Sequence, residues 1–225
     1  MTESMEVLPV TPPSALVLLD QMSDDGALAR IFAEYPSVPV IGVIDTSVEA
    51  PEAVAALIGS SVSELIDVST ETHPALLVEL LANATARPLI RRIERSLPRY
   101  VSAQARVLVR AAAKVAVSSG GAAELAAYLE VSQATVTVWC QRSGLPKPRR
   151  LQAWLRLLLA ALLLTDKGRT IATVARACGY SSDRALRRAM NEFVGADTRT
   201  VSQDDAFEEV MRKFLDELSE CRDRM

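Results

Sequence analysis

Between Ile171 and Gly195 the chain reads IATVARACGYSSDRALRRAMNEFVG, and Arg184, Arg187 and Arg188 follow Asp183 at helical spacing. A guanidinium offers two parallel N–H donors, which match the O6 and N7 acceptors of guanine in the major groove. Asp183 can accept from cytosine N4, or cap the helix that carries it. The cluster therefore has the chemistry of base reading, provided its neighbours hold it on one exposed face. On an ordinary helical hairpin the same charges would be a solvated surface.

The flanking residues supply such a support. Ile171, Val174, Ala175 and Cys178 recur at helical spacing and form one apolar face. Ala175 is small enough for two helices to approach closely. Gly179 stands where a helix end wants left-handed backbone. Ser181 or Ser182 can open the next helix by accepting from free backbone N–H groups, and Ser182 joins the candidate contacts. Leu186, Met190 and Phe193 can face inward, which leaves Asp183, Arg184, Arg187, Arg188 and Asn191 outside. Gly195 closes the unit. Helix, tight turn and second helix outline a helix-turn-helix, whose second helix enters the major groove of duplex DNA.

The charge balance agrees once it is divided. The whole chain of 225 residues has net charge −3, but residues 1–86 carry −12, residues 87–200 carry +13 and residues 201–225 carry −4. A basic middle beside an acidic head is the footprint of a nucleic-acid-binding part joined to a part with another task. The acidic head should face away from phosphate. Apolar residues make up 49% and aromatics 4%, with Ala and Leu dominant, which favours packed helices. The most apolar run, Leu157–Leu164, is far shorter than the roughly 20 residues of a membrane span. No signal-peptide pattern opens the chain, and a cytoplasmic protein without a membrane partner is expected. Cys140, Cys178 and Cys221 are scattered, without a zinc or disulfide pattern, and read as reduced thiols, with the first two in the core. The lone His73 precedes Pro74 at a helix start and reads as structural. No catalytic constellation, metal site or cofactor is expected, and no small-molecule effector is legible.

Residues 1–86 alternate between strand and helix. Ala15–Leu19, Val38–Ile44 and Glu64–Val68 read as strands, and Gly26–Tyr35, Pro51–Ile58 and Pro74–Ala86 as helices. That alternation implies a parallel sheet with right-handed crossovers. The run LVLLDQMSDDG, then VPVIGVIDTS, then ELIDV, resembles the latter half of a response-regulator receiver domain. The resemblance places Asp20 at the phosphoacceptor position and Thr46 at the switch hydroxyl. The acidic pair that would hold magnesium and the lysine after the last strand are both missing. The head is therefore read as a shortened, unphosphorylated receiver-like domain for dimerisation or sensing. Asp20, Asp24 and Asp25 read as loop and cap residues.

Pro88 and Pro98 should break the chain into the helices Leu89–Leu97 and Ser102–Val117. Their arginines Arg91, Arg92, Arg95, Arg99, Arg106 and Arg110 are either a solvated face or phosphate contacts. After the turn Ser118–Gly121 comes AAELAAYLEVSQATVTVWCQRSGL, a further helix-turn-helix outline with Ser132 as N-cap and Val136, Trp139 and Cys140 inward. A helix from Pro148 to about Thr165 joins it to the Ile171–Gly195 unit through a turn at Asp166–Arg169. This arrangement over about residues 105–200 resembles the DNA-binding domain of the AraC/XylS family. The resemblance rests on Leu125-Ala126, Val131-Ser132, Gly144 and Pro148, then on Ile171, Val174-Ala175, Gly179-Tyr180-Ser181-Ser182, Arg188 and Gly195.

The resemblance implies that each second helix enters the major groove in adjacent turns, with the linker helix fixing their separation. In the second unit the base-reading positions are Asp183, Arg184, Arg187 and Arg188. In the first they are Gln133, Ala134, Thr137 and Val138, with Gln141 beyond. That helix has no basic residue before Arg142, so it binds weakly, reads A·T-rich sequence or serves as a spacer. Lys147, Arg149 and Arg150 are candidate phosphate contacts. Asp204–Arg224 forms a last amphipathic helix, whose stripe either docks on the chain's own core or makes a dimer.

The expected fold is mostly α: a small α/β receiver-like domain with a short parallel sheet (1–86), connecting helices (87–118), an all-α double helix-turn-helix domain (119–200) and the C-terminal helix (201–225). The expected function is sequence-specific transcription regulation by a homodimer on double-stranded DNA, with RNA polymerase a candidate partner. The alternatives are a protein-interaction module with incidental DNA contact and a phosphorylation-controlled switch.

Overall fold

Three short apolar segments pair in parallel and in chain order: β1 (Leu16–Leu19), β2 (Val40–Ile44) and β3 (Glu64–Asp67). Leu16 aligns with Val40, and Ile41 with Glu64. The structure is a computed structural model that describes residues 16–19, 25–48, 62–70, 73–195 and 205–224. Helix α1 (Asp25–Glu34) lies in the first crossover, as parallel pairing requires. The expected helix at 51–58, and Asp20 and Asp24, lie outside the described residues.

Helix α2 (Pro74–Ser96) opens with Pro74 at its first turn, and His73 caps it by accepting from the Ala75 N–H at 3.3 Å. The expected break at Pro88 is absent: α2 runs straight through it. A proline inside a helix removes one backbone hydrogen bond and crowds the preceding turn. Packing on both sides of it outweighs that penalty. Ala84, with Ile41 and Ile66 of the sheet, forms one core, and Leu89 and Ile93 belong to the core of the helical part. The boundary drawn at 86/87 thus falls inside one continuous helix that joins the sheet to the helical part.

Among the described residues seven further helices follow: α3 (Ala103–Val117), α4 (Ala122–Tyr128), α5 (Gln133–Arg142), α6 (Pro148–Leu164), α7 (Ile171–Ala177), α8 (Asp183–Val194) and α9 (Ala206–Asp223). Their hub is α6. Leu151, Trp154, Leu155, Leu157, Leu158 and Leu162 are all buried, and α6 touches every helix from α2 to α9. A helix apolar on all sides has to be enclosed in this way. Small residues of α3, among them Ala112, Ala113 and Ala116, are buried in the same core and allow close approach. The stripe of α9 is spent inside the chain: Phe207, Val210, Met211, Phe214 and Leu218 are buried, and α9 packs on α6 and α8. Among the described residues, no helix is long and apolar enough to cross a membrane.

One contact ties the sheet to the turn before α7. Asp166 is a buried carboxylate that accepts from the Ser37 N–H at 3.0 Å, from the Ser37 hydroxyl and from Arg169 Nε at 2.7 Å. Beside it the Lys167 N–H donates to the Glu34 carbonyl at 3.0 Å.

Candidate nucleic-acid interface

The helix pair α7/α8 is built from local signals. Thr170 and Thr173 exchange side-chain-to-backbone bonds at 3.2 and 3.1 Å, closing the first turn of α7. Its other end turns at Gly179, where φ is +72° and the Tyr180 N–H returns to the Ala175 carbonyl at 2.9 Å. A Cβ on Gly179 would also stand 3.0 Å from the Ser119 Cβ. Gly179→Ala therefore meets left-handed strain of about 1–2 kcal/mol and a steric clash together. Denaturant unfolding should show a loss of at least that size. A loss under about 0.5 kcal/mol, the range of an inert surface change, would mean that this turn tolerates any residue.

Ser182 caps α8, its hydroxyl accepting from the Ala185 N–H at 3.2 Å. Asp183 then accepts from the Arg184 N–H at 2.8 Å and stands 4.0 Å from Arg187 Nε. Its carboxylate also suits the positive end of the helix. Leu186, Met190 and Val194 are buried, and Phe193 packs against the same core. Asp183, Arg184, Arg188 and Asn191 are exposed and Arg187 half-buried. At about 100° per residue they share an arc of roughly 140°, a single outward face.

The pair α4/α5 has a similar outline and different chemistry. Ser132 caps α5, accepting from the Thr135 N–H at 3.1 Å, and Val136 and Cys140 are buried. Gln133, Ala134, Thr137, Val138 and Gln141 are all exposed, Val138 by 41%. The Thr137 hydroxyl donates to the Gln133 carbonyl at 2.9 Å, so its donor is used within the helix. The left-handed turn residue here is Glu130, with φ of +55°, where the other pair uses Gly179.

Of the three candidate phosphate contacts, Lys147 and Arg149 are exposed at the start of α6. Arg150 is placed differently. Its Nε and Nη2 donate to the two oxygens of Glu217 at 2.6 and 2.7 Å, and its guanidinium stands 4.6 Å from the Phe193 ring centroid. The bidentate pair spends two of its donors on α9, so Arg150 anchors two helices while its side chain stays 49% exposed. Sequence reasoning missed this because Glu217 lies far along the chain. A groove of about 1030 Å³ opens between α5 and α9. It brings Glu217 and Glu220, paired with Arg150 and Arg224, beside Thr137, Val138 and Gln141, with Arg142 and Lys147 on the same lining.

The remaining reactive groups are quiet. Burial pushes the Cys140 thiol up to about 11 and the Cys178 thiol up to about 12, so neither is a thiolate near neutrality. Among the described residues, no group of His, Cys, Asp and Glu could hold a metal ion. Thr46 donates to Asp67 Oδ2 at 2.5 Å, and Ser69 donates to Asp67 Oδ1 at 2.7 Å. These hydroxyls, Ser69 first, hold the Asp67 carboxyl well below the usual carboxylate range.

No curated protein and no solved structure matches the chain. Residues 125–202, less than half of the chain, match the family described as a helix-turn-helix domain. That span runs from α4 through α8. The match supports a DNA-binding regulator of transcription with a helix-turn-helix of the AraC type in this segment.

Proposed function

We propose that this chain is a sequence-specific transcription regulator of the AraC type that reads duplex DNA in the major groove as a homodimer, mainly through α8. The carrying observation is the capped, single-faced cluster of Arg184, Arg187 and Arg188 on a helix whose opposite side is buried. Ser182 and Asp183 stand at its N-terminal end, where backbone N–H groups also suit phosphate. The pair α4/α5 serves as the second, weaker unit of a double helix-turn-helix. Gln133 and Gln141 offer amides to adenine, and Ala134, Thr137 and Val138 offer methyl groups to thymine. The absence of a basic residue in α5 before Arg142 supports that asymmetry.

The head, residues 1–86, is a shortened receiver-like domain used for dimerisation. Its strand order of three parallel neighbours in sequence suits the last three strands of a 2-1-3-4-5 sheet. The Asp67 carboxylate on the Thr46 hydroxyl sets a negative charge where a phosphoryl group would need support, which favours the unphosphorylated reading. Val78 and Leu81, exposed one turn apart on α2, support an apolar contact between two copies. Residues 87–118 connect the head to the DNA-binding domain at 119–200.

Selection of bound sites from random duplex DNA, followed by titration of the selected site at several salt concentrations, tests the proposal. The logarithm of affinity should fall linearly with that of salt, by about 0.9 per phosphate neutralised. Failure to enrich any site, or a flat salt response, would overturn it.

A further inference from the structure

Helices α2 and α3 run antiparallel on either side of a cleft of about 420 Å³. Arg87 and Arg91 line it from α2, one turn apart. Arg110 and Lys114 line it from α3, again one turn apart. Like charges at this spacing repel, and the fold brings two such pairs together.

Two carboxylates answer them. Glu94 pairs with Arg110, and Glu64 stands 3.4 Å from Arg87. Among the described residues, four cations against two carboxylates leave a surplus of two positive charges. Arg91 is half-buried and donates to the Val62 carbonyl at 3.0 Å. Burial, and then the neighbouring Arg95 and Arg87, lower its proton affinity. The Arg87 and Arg110 side chains are 52% and 59% exposed. Ion pairs so open to water are weak, and both guanidinium groups can turn to a denser anion.

We infer that the α2/α3 cleft binds a small phosphate-bearing anion, with Arg87, Arg91, Arg110 and Lys114 as its ligands. The surplus charge matches a phosphate monoester or a diphosphate. The volume lies in the range of small-molecule sites, and a concave cleft between helices suits a compact ligand better than the convex backbone of a duplex. Lys114 bonds to Asn83 Oδ1 at 2.8 Å and stands 5.8 Å from the ring centroid of Tyr128, the last residue of α4. The site thus lies between α2 and α3, with Lys114 linking it to the first helix pair through Tyr128. The inference stands on different residues from DNA reading, so either can fail alone.

The test is calorimetric titration of the full chain with inorganic pyrophosphate, ionic strength being held constant with potassium chloride. Saturable binding at one site per chain is expected. In a chain carrying Arg87→Gln and Lys114→Gln, affinity should drop about tenfold or more, as loss of two charge-assisted contacts implies. Duplex affinity without pyrophosphate should stay unchanged in that variant. Absence of saturable binding to the unaltered chain overturns the inference whether or not the variant folds. Equal affinity in a folded variant does so too. A variant that loses duplex affinity, from a parent that binds no pyrophosphate, would make the cleft a DNA backbone contact instead.

Discussion

Alanine at both Arg184 and Arg187 is expected to lower affinity for the selected duplex by about 2–6 kcal/mol, since each bidentate arginine–guanine pair contributes roughly 1–3 kcal/mol of discrimination. That is on the order of 30-fold to 2 × 10⁴-fold. Affinity for random duplex should fall far less, so the specificity ratio collapses. The variant should fold, because Arg184 is exposed and Arg187 half-buried, and neither belongs to the buried set Leu186, Met190 and Val194. Its contact with Asp183, at 4.0 Å, is a surface pair worth a few tenths of a kcal/mol. Salt separates base from phosphate contact. Removing a phosphate contact reduces the salt slope by about one and weakens all sequences alike. Lost specificity at an unchanged slope identifies base reading. As the internal comparison, Gln133→Ala with Gln141→Ala in α5 should cost clearly less. Equal losses from the two helices, or a surviving preference for the selected site, would sink the assignment of α8 as the main reader.

The difference between the two helix pairs also shows what a sequence can disclose. Almost everything that shapes α7/α8 lies within a few residues of where it acts: the Thr170/Thr173 exchange, Gly179, the Ser182 cap and Gly195. Such local devices are readable by type and spacing. The turn of the first pair was harder to locate, because Glu130 adopts the left-handed conformation without being a glycine. Contacts between distant segments left no such trace. Asp166 reads only as the start of a turn, yet Ser37 and Arg169 enclose it. Arg150 reads as a phosphate grip, and Glu217 claims it. Pro88 reads as a break, and packing against the sheet on one side and the helical core on the other carries α2 through it. In each case the deciding partner lies elsewhere in the chain, where periodicity and capping rules do not reach.

The same logic makes Trp154 the residue whose removal should cost the fold most. It is 1% exposed at the middle of α6. Its ring meets Phe193 of α8 edge-on at 4.9 Å and Phe214 of α9 at 5.7 Å. Its Nε1 donates to Glu217 at 2.8 Å, on the carboxylate that also holds Arg150. Trp154→Ala opens a cavity among three helices and should destabilise by about 3–5 kcal/mol. At about 2–4 °C per kcal/mol for a chain of this size, the midpoint should fall by roughly 6–20 °C. Trp154→Phe keeps a ring in place but loses the donor to Glu217 and part of the indole volume, so a smaller loss of about 1–3 kcal/mol is expected. Urea unfolding of both variants, with comparable slopes, measures the two losses. A functional consequence follows from the place of α6 between the readers. Well below the transition, Trp154→Ala should weaken binding to the full selected site more than to a duplex holding only the α8 half-site, because the spacing of α5 and α8 depends on this packing. A stability loss under about 1 kcal/mol, near the average for any substitution, would show that α6 is not the hub that fixes that spacing.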